Sequence, residues 1–106
     1  MPNSTRAAQL ADLIRDLLAT WIHTDFPGYF VSVTGVTLSP DLQRATAWLH
    51  AARPEDKPVL LAVRNRARQY NQRLHHSVKR RALPLVDFRE DYQEEDAQHV
   101  DDLLTQ

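Results

Sequence analysis

Phe30-Val31-Ser32-Val33-Thr34-Gly35-Val36-Thr37-Leu38-Ser39-Pro40-Asp41-Leu42-Gln43-Arg44-Ala45-Thr46-Ala47-Trp48-Leu49-His50 is the stretch that decides the fold. From Phe30 to Thr34 apolar and polar residues alternate and β-formers dominate, which predicts a strand. Val36 and Leu38 continue the pattern in the opposite phase. The slip falls at Gly35, where a bulge is expected. Ser39-Pro40-Asp41 is turn chemistry, with proline pre-setting its φ. From Arg44 to His50 the alternation resumes. Ala45, Ala47 and Leu49 share one face, and Arg44, Thr46, Trp48 and His50 share the other. Two strands joined by a short turn make an antiparallel hairpin.

On the N-terminal side, Leu10, Leu13, Ile14, Leu17, Leu18, Trp21 and Ile22 recur at helical spacing and predict one apolar face about five turns long. Asn3, Ser4 and Thr5 are candidate N-caps, Pro27-Gly28 ends the helix, and Leu17 and Trp21 should be core residues. After the hairpin, Arg53 to Pro58 breaks the chain, and the next helix should begin near Asp56 as its N-cap. Its apolar positions Leu60, Val63, Ala67, Tyr70, Leu74 and Val78 are three or four residues apart, and Pro84 ends it after about Ala82. Leu85, Val86 and Phe88 predict a last short strand, and Val100, Leu103 and Leu104 a small helical tail. The result is an α+β fold, a three-stranded sheet with helices on one face. The last strand returns by a crossover and should run parallel to its neighbour.

The long helical stretch sets two arguments against each other. Arginine is a good helix former, so local propensity favours continuity from Asp56 to about Ala82, roughly 40 Å at 1.5 Å per residue. Such a helix would overhang strands reaching only ~17–25 Å. Packing Leu60-Val63 and Leu74-Val78 onto one small core requires a break, expected between Asn65 and Tyr70 with Ala67 as its least bulky residue. Arg66 and Arg68 would then flank an exposed corner.

The run from Phe30 to Leu42 followed by Ala45 resembles the ribosome-binding factor A family, whose members assist assembly of the bacterial small ribosomal subunit. Leu83-Pro84-Leu85-Val86-Asp87-Phe88 and Val100-Asp101-Asp102-Leu103-Leu104 support the resemblance, which covers nearly the whole chain. It implies a type II KH-like fold of order α-β-β-α-α-β with a broken second helix, one domain over residues 1–106, and an acidic turn and short tail from about residue 89. It also implies transient binding to free 30S subunits and their 16S rRNA, assistance to late maturation and rRNA end processing, and no cofactor. Three departures stand out, the first from ordinary KH domains and the other two from the family. A KH domain clamps RNA with Gly-x-x-Gly between helices, whereas the two glycines here, Gly28 and Gly35, lie far from that place. The family's small-residue kink corresponds to Arg66-Ala67-Arg68, which adds two positive charges. Ala97 stands where the family has glycine.

Composition narrows the function further. The chain has 106 residues, 42% hydrophobic and 25% charged, with net charge -1. That neutrality hides an asymmetry: eight Lys or Arg and no acid from Lys57 to Arg81, then eight acids and one Arg from Asp87 to Asp102. Arg64, Arg66, Arg68, Arg73, Lys79, Arg80 and Arg81 lie on one helical stretch and are the candidate RNA contacts, since such a field attracts phosphates and arginine holds them bidentately. The competing reading is a solvated helix face partly neutralised by the acidic tail. Trp48 could stack a base, but the commoner roles of such a residue are to cover a sheet edge or to pack under a tail. His75 and His76 are adjacent, about 100° apart on a helix, without carboxylates at ligand spacing. With no cysteine, disulfides and thiolate metal sites are excluded. No nucleophile elbow, phosphate loop or paired-carboxylate pattern is visible, so no catalytic residue, metal or small-molecule substrate is expected. No apolar run approaches the ~20 residues of a membrane span, and no signal-peptide core is present. A cytoplasmic monomer is the expectation. The alternatives are a general RNA-binding module, a basic protein–protein adaptor and a small α/β enzyme.

Overall fold

The computed structural model describes residues 2–79 and 82–92. Along the chain run α1 (Pro2–Asp25), β1 (Val31–Leu38), β2 (Arg44–Ala51), a 3-10 turn (Pro54–Asp56), α2 (Lys57–Asn65), α3 (Ala67–Ser77) and β3 (Leu85–Glu90). The order and the three-stranded mixed sheet are those expected. The strands lie β1-β2-β3, with β1 antiparallel and β3 parallel to the central β2. The expected bulge is present. Val33 pairs with Leu49 and Gly35 with Trp48, leaving Thr34 as the extra residue.

The hairpin turn is built by side chains. The Ser39 hydroxyl donates to Asp41 Oδ1 (2.6 Å), which also accepts from the Gln43 amide (3.1 Å), while the Arg44 amide donates to Ser39 Oγ (3.0 Å). These bonds, the Ser39 hydroxyl's first, hold the Asp41 carboxyl below the ordinary range. They also fix Leu42 at φ 60, a left-handed conformation costing roughly 1–2 kcal/mol for a residue with a Cβ.

One face of the sheet carries the core. Ala45, Ala47 and Leu49 of β2 are buried with Val86 and Phe88 of β3, against Leu10, Ile14, Leu18, Trp21 and Ile22 of α1 and Val63, Tyr70 and Leu74 of α2 and α3. Alanines on the central strand let three helices approach it closely. Asn71 of α3 plays a backbone's part here. Its amide donates to Val86 O (3.0 Å) and its Oδ1 accepts from Val86 N (2.8 Å).

Five expectations are corrected. Helix α1 begins at Pro2, ahead of Asn3, Ser4 and Thr5. Proline suits a first helical turn because its missing N–H is unpaired there anyway. Leu17 is half-buried, and the fully buried leucine is its neighbour Leu18. Asp56 stands at the N-cap of α2 but makes no side-chain cap. Its carboxylate is fully buried and takes both Arg53 Nε and Nη2 at 2.9 Å. The paired guanidinium keeps it charged, below its ordinary 3.8. Helix α3 stops at Ser77 rather than Ala82, because Val78 turns extended and buries its side chain. The break predicted between Asn65 and Tyr70 is found at Arg66 (φ -98, ψ 11). Strand β3 includes Arg89 and Glu90, which the sequence assigns to the acidic turn. The expected tail at Val100, Leu103 and Leu104 lies outside the described residues.

Candidate nucleic-acid interface

The α2–α3 break is anchored from the other end of the chain. Asp25, the last residue of α1, accepts from the Tyr70 hydroxyl (2.8 Å) and lies 3.8 Å from both Arg66 Nη1 and Arg73 Nη1. Arg66 lies over the Phe26 ring (4.7 Å) and Arg73 over Trp21 (4.4 Å). Trp21 in turn stacks on Tyr70 at 6.5 Å, and Tyr70 leans on Phe88 at 5.8 Å. Burial, then the Asp25 carboxylate, pushes the Tyr70 hydroxyl up to about 12, so it remains a donor at any physiological pH. The acid-free stretch of sequence therefore finds its acid in α1, brought in by the fold.

The other candidates divide differently. Arg64 and Arg68 flank the break, are exposed, and have no ion pair or ring partner among the described residues. Lys79 is exposed too, but it follows α3 and does not ride on it. Arg80 and Arg81 lie outside the described residues. His75 and His76 are exposed on α3, and no cluster fit for a metal occurs among the described residues.

Beside the break, two clefts adjoin at the β3 side of the sheet and share Asp87 and Arg89. One is lined by Arg44, Thr46, Ala67, Asn71, Asp87 and Arg89 among others. The second is lined by Trp48, Arg64, Asp87, Arg89, Glu90 and Tyr92. Arg89 pairs with Asp87 (3.1 Å) and Lys57 with Glu90 (4.0 Å), whereas Arg44 has no ion pair among the described residues. Arg44 therefore extends the cationic surface beyond the helical stretch, while Asp87 neutralises Arg89. Their polar-face positions on β2 and β3 are the signal for them in the sequence, masked there by the denser run of charge on the helices. For Asp25 the sequence holds no local signal, since its partners are more than forty residues away. No described helix is long and apolar enough to cross a membrane.

Comparison with known proteins agrees with this architecture. The chain is 32% identical over 108 residues to ribosome-binding factor A of Thermomicrobium roseum, covering 97% of this chain and 84% of that protein. It is 26% identical over 108 residues to ribosome-binding factor A of a Bradyrhizobium species, covering 95% and 78%. In structure it is similar to the crystal structure of ribosome-binding factor A from Thermus thermophilus (TM-score 0.68, 26% identity, 79% of this chain and 93% of that one). It is also similar to the Thermus thermophilus factor as fitted into a cryo-EM map of its 30S complex (TM-score 0.65, 28% identity, 78% and 92%). The sequence profile described as ribosome-binding factor A matches residues 6–104. The chain belongs to the ribosome-binding factor A family.

Proposed function

We propose that this chain is a non-enzymatic, single-domain assembly factor of the cytoplasm that binds free 30S subunits through 16S rRNA phosphates. It assists late subunit maturation and rRNA end processing without a cofactor. The observation that carries the reading is the helix break itself. Arg64 and Arg68 stand exposed on either side of it with no described acid to satisfy them, a combination that attracts phosphate. Lys79, Arg80 and Arg81 extend the contact, and Arg66 and Arg73 add charge from positions fixed by Asp25. Family membership, with a relative fitted into a 30S complex, supports the same partner.

The test is a sucrose gradient of cell extract, probed for the chain. Co-migration with free small subunits and not with intact ribosomes is expected; migration with neither, or with intact ribosomes, overturns the reading. With about five phosphates contacted, the log–log slope of affinity against salt should be near -4. A slope indistinguishable from zero rejects phosphate-led binding.

A further inference from the structure

The sheet face away from the core is unlike the basic helices. It presents Thr46, Trp48, His50, Asp87 and Arg89, all partly or fully exposed. On it lies the second cleft, about 540 Å³ in volume, within the ~300–1,000 Å³ of small-molecule sites. Trp48 is half-buried at its wall, and Tyr92, 59% exposed, stands at the same cleft. The indole N–H of Trp48 donates to the Thr37 hydroxyl. The ring is thus held by its polar edge, while part of the indole stays accessible on the sheet face away from the core.

The charges around it are balanced. Asp87 and Glu90 offer acceptors, Arg64 and Arg89 offer donors, and the net charge of the four is zero. A phosphate finds no net attraction there. A heterocycle carrying both amino and carbonyl groups finds an aromatic surface to stack on and hydrogen-bonding groups of both kinds at its rim. Arg64 is the cation of this set with no described partner, and it belongs to the end of α2 beside the helix break. Through Arg64 the cleft therefore adjoins the phosphate-binding surface at the helix break.

We propose that this cleft takes one unpaired RNA base, stacked on Trp48, while the adjoining phosphates run towards Arg64 and Arg68. The proposal rests on the reading of the chain as an RNA-contacting factor and adds a base-recognising site to it. Base stacking on an aromatic side chain predicts that Trp48→Leu weakens binding to small subunits about tenfold. Trp48→Phe, which keeps a ring, should recover most of the loss. The full chain has two tryptophans, and Trp21 is buried, so fluorescence change on ligand addition reports Trp48. Single-stranded hexa-adenylate should quench it. An abasic oligoribose-phosphate of equal charge, or a blunt RNA duplex, should not.

Equal quenching by the abasic strand would overturn the cleft as a base site, as would unchanged subunit affinity in Trp48→Leu. If Trp48→Leu fails to fold, the Trp48→Phe variant and the abasic comparison decide alone. Quenching by hexa-adenylate in a protein that ignores small subunits would support the cleft while removing the ribosomal reading. Tight subunit binding without quenching would do the reverse.

Discussion

Two sets of arginines share this small molecule and are used in opposite ways. Arg53, Arg66 and Arg73 each place the guanidinium over an aromatic ring, 4.4 to 4.7 Å from its centroid, with a carboxylate alongside. Arg53 has Phe30 and Asp56, Arg66 has Phe26 and Asp25, and Arg73 has Trp21 and Asp25. Arg64 and Arg68 have neither ring nor acid among the described residues. The tied set joins α1 to the helix break and the hairpin to α2; the untied set is left for a partner. Positive charge counted along a sequence is therefore not charge available for binding.

The sharpest way to break this distinction is to remove the hub of the tied set. Tyr70 is 1% exposed and meets Trp21, Phe88 and Asp25. Tyr70→Ala should cost about 3–5 kcal/mol in urea denaturation, as large aromatic truncations do. Leu18→Ala should cost about 2–5 kcal/mol, and Arg68→Ala should stay within ~0.5 kcal/mol. A loss below ~1 kcal/mol for Tyr70→Ala would make the cluster a surface decoration.

Paired alanine variants test the division itself. Arg64→Ala with Arg68→Ala should weaken 30S binding by about 3–6 kcal/mol, at ~1.5–3 kcal/mol for each charged hydrogen bond, and leave stability unchanged. Arg66→Ala with Arg73→Ala should lower stability by about 1 kcal/mol. That figure is small because both side chains are nearly half exposed, so solvent screens their pairs with Asp25. Indistinguishable behaviour of the two double variants in both measurements would erase the difference.

The smallest effects lie in pH dependence. Asp56 titrates below its ordinary 3.8 in the fold, so its contribution is complete above 3.8 and fades as pH falls further. Tyr70 is raised from 10.0 to about 12, so its contribution is complete below pH 10.0 and fades as pH rises towards 12. In denaturation series, Asp56→Asn should flatten the acid shoulder and Tyr70→Phe the alkaline one. Slopes identical to wild type would show that neither group is linked to folding.

Much of the architecture is legible in the sequence because pattern and packing agree. The phase change at Gly35 announces the bulge, and Ala45-Ala47-Leu49 announces the buried face. The break at Arg66 is legible only through tertiary reasoning, since the local residues favour a continuous helix and a small core overrides them. Sequence alone misplaces the end of α3 because Pro84 is a conspicuous terminator, yet Val78 gains more by leaving the helix and burying its side chain. For Asp56, the sequence locates the N-cap position but not the side chain's partner, since Arg53 supplies a charged, bidentate donor. Within the candidate site, the basic residues are visible one by one. Their division into tied and untied is not, because Asp25 meets them only after α1 has docked.

Asn71 has a consequence for how the molecule behaves in a crowd. The outer side of β3 is a row of backbone groups that could recruit a strand from another chain. At Val86 a carboxamide occupies both positions of that rung, donor to acceptor and acceptor to donor. It imitates the peptide group of a fourth strand while belonging to a helix that cannot be extended into one. An incoming chain would have to evict it before pairing there. One side chain therefore guards this edge against cross-chain β-aggregation, leaving Ala67 and Asp87 beside it open to a ligand of another kind.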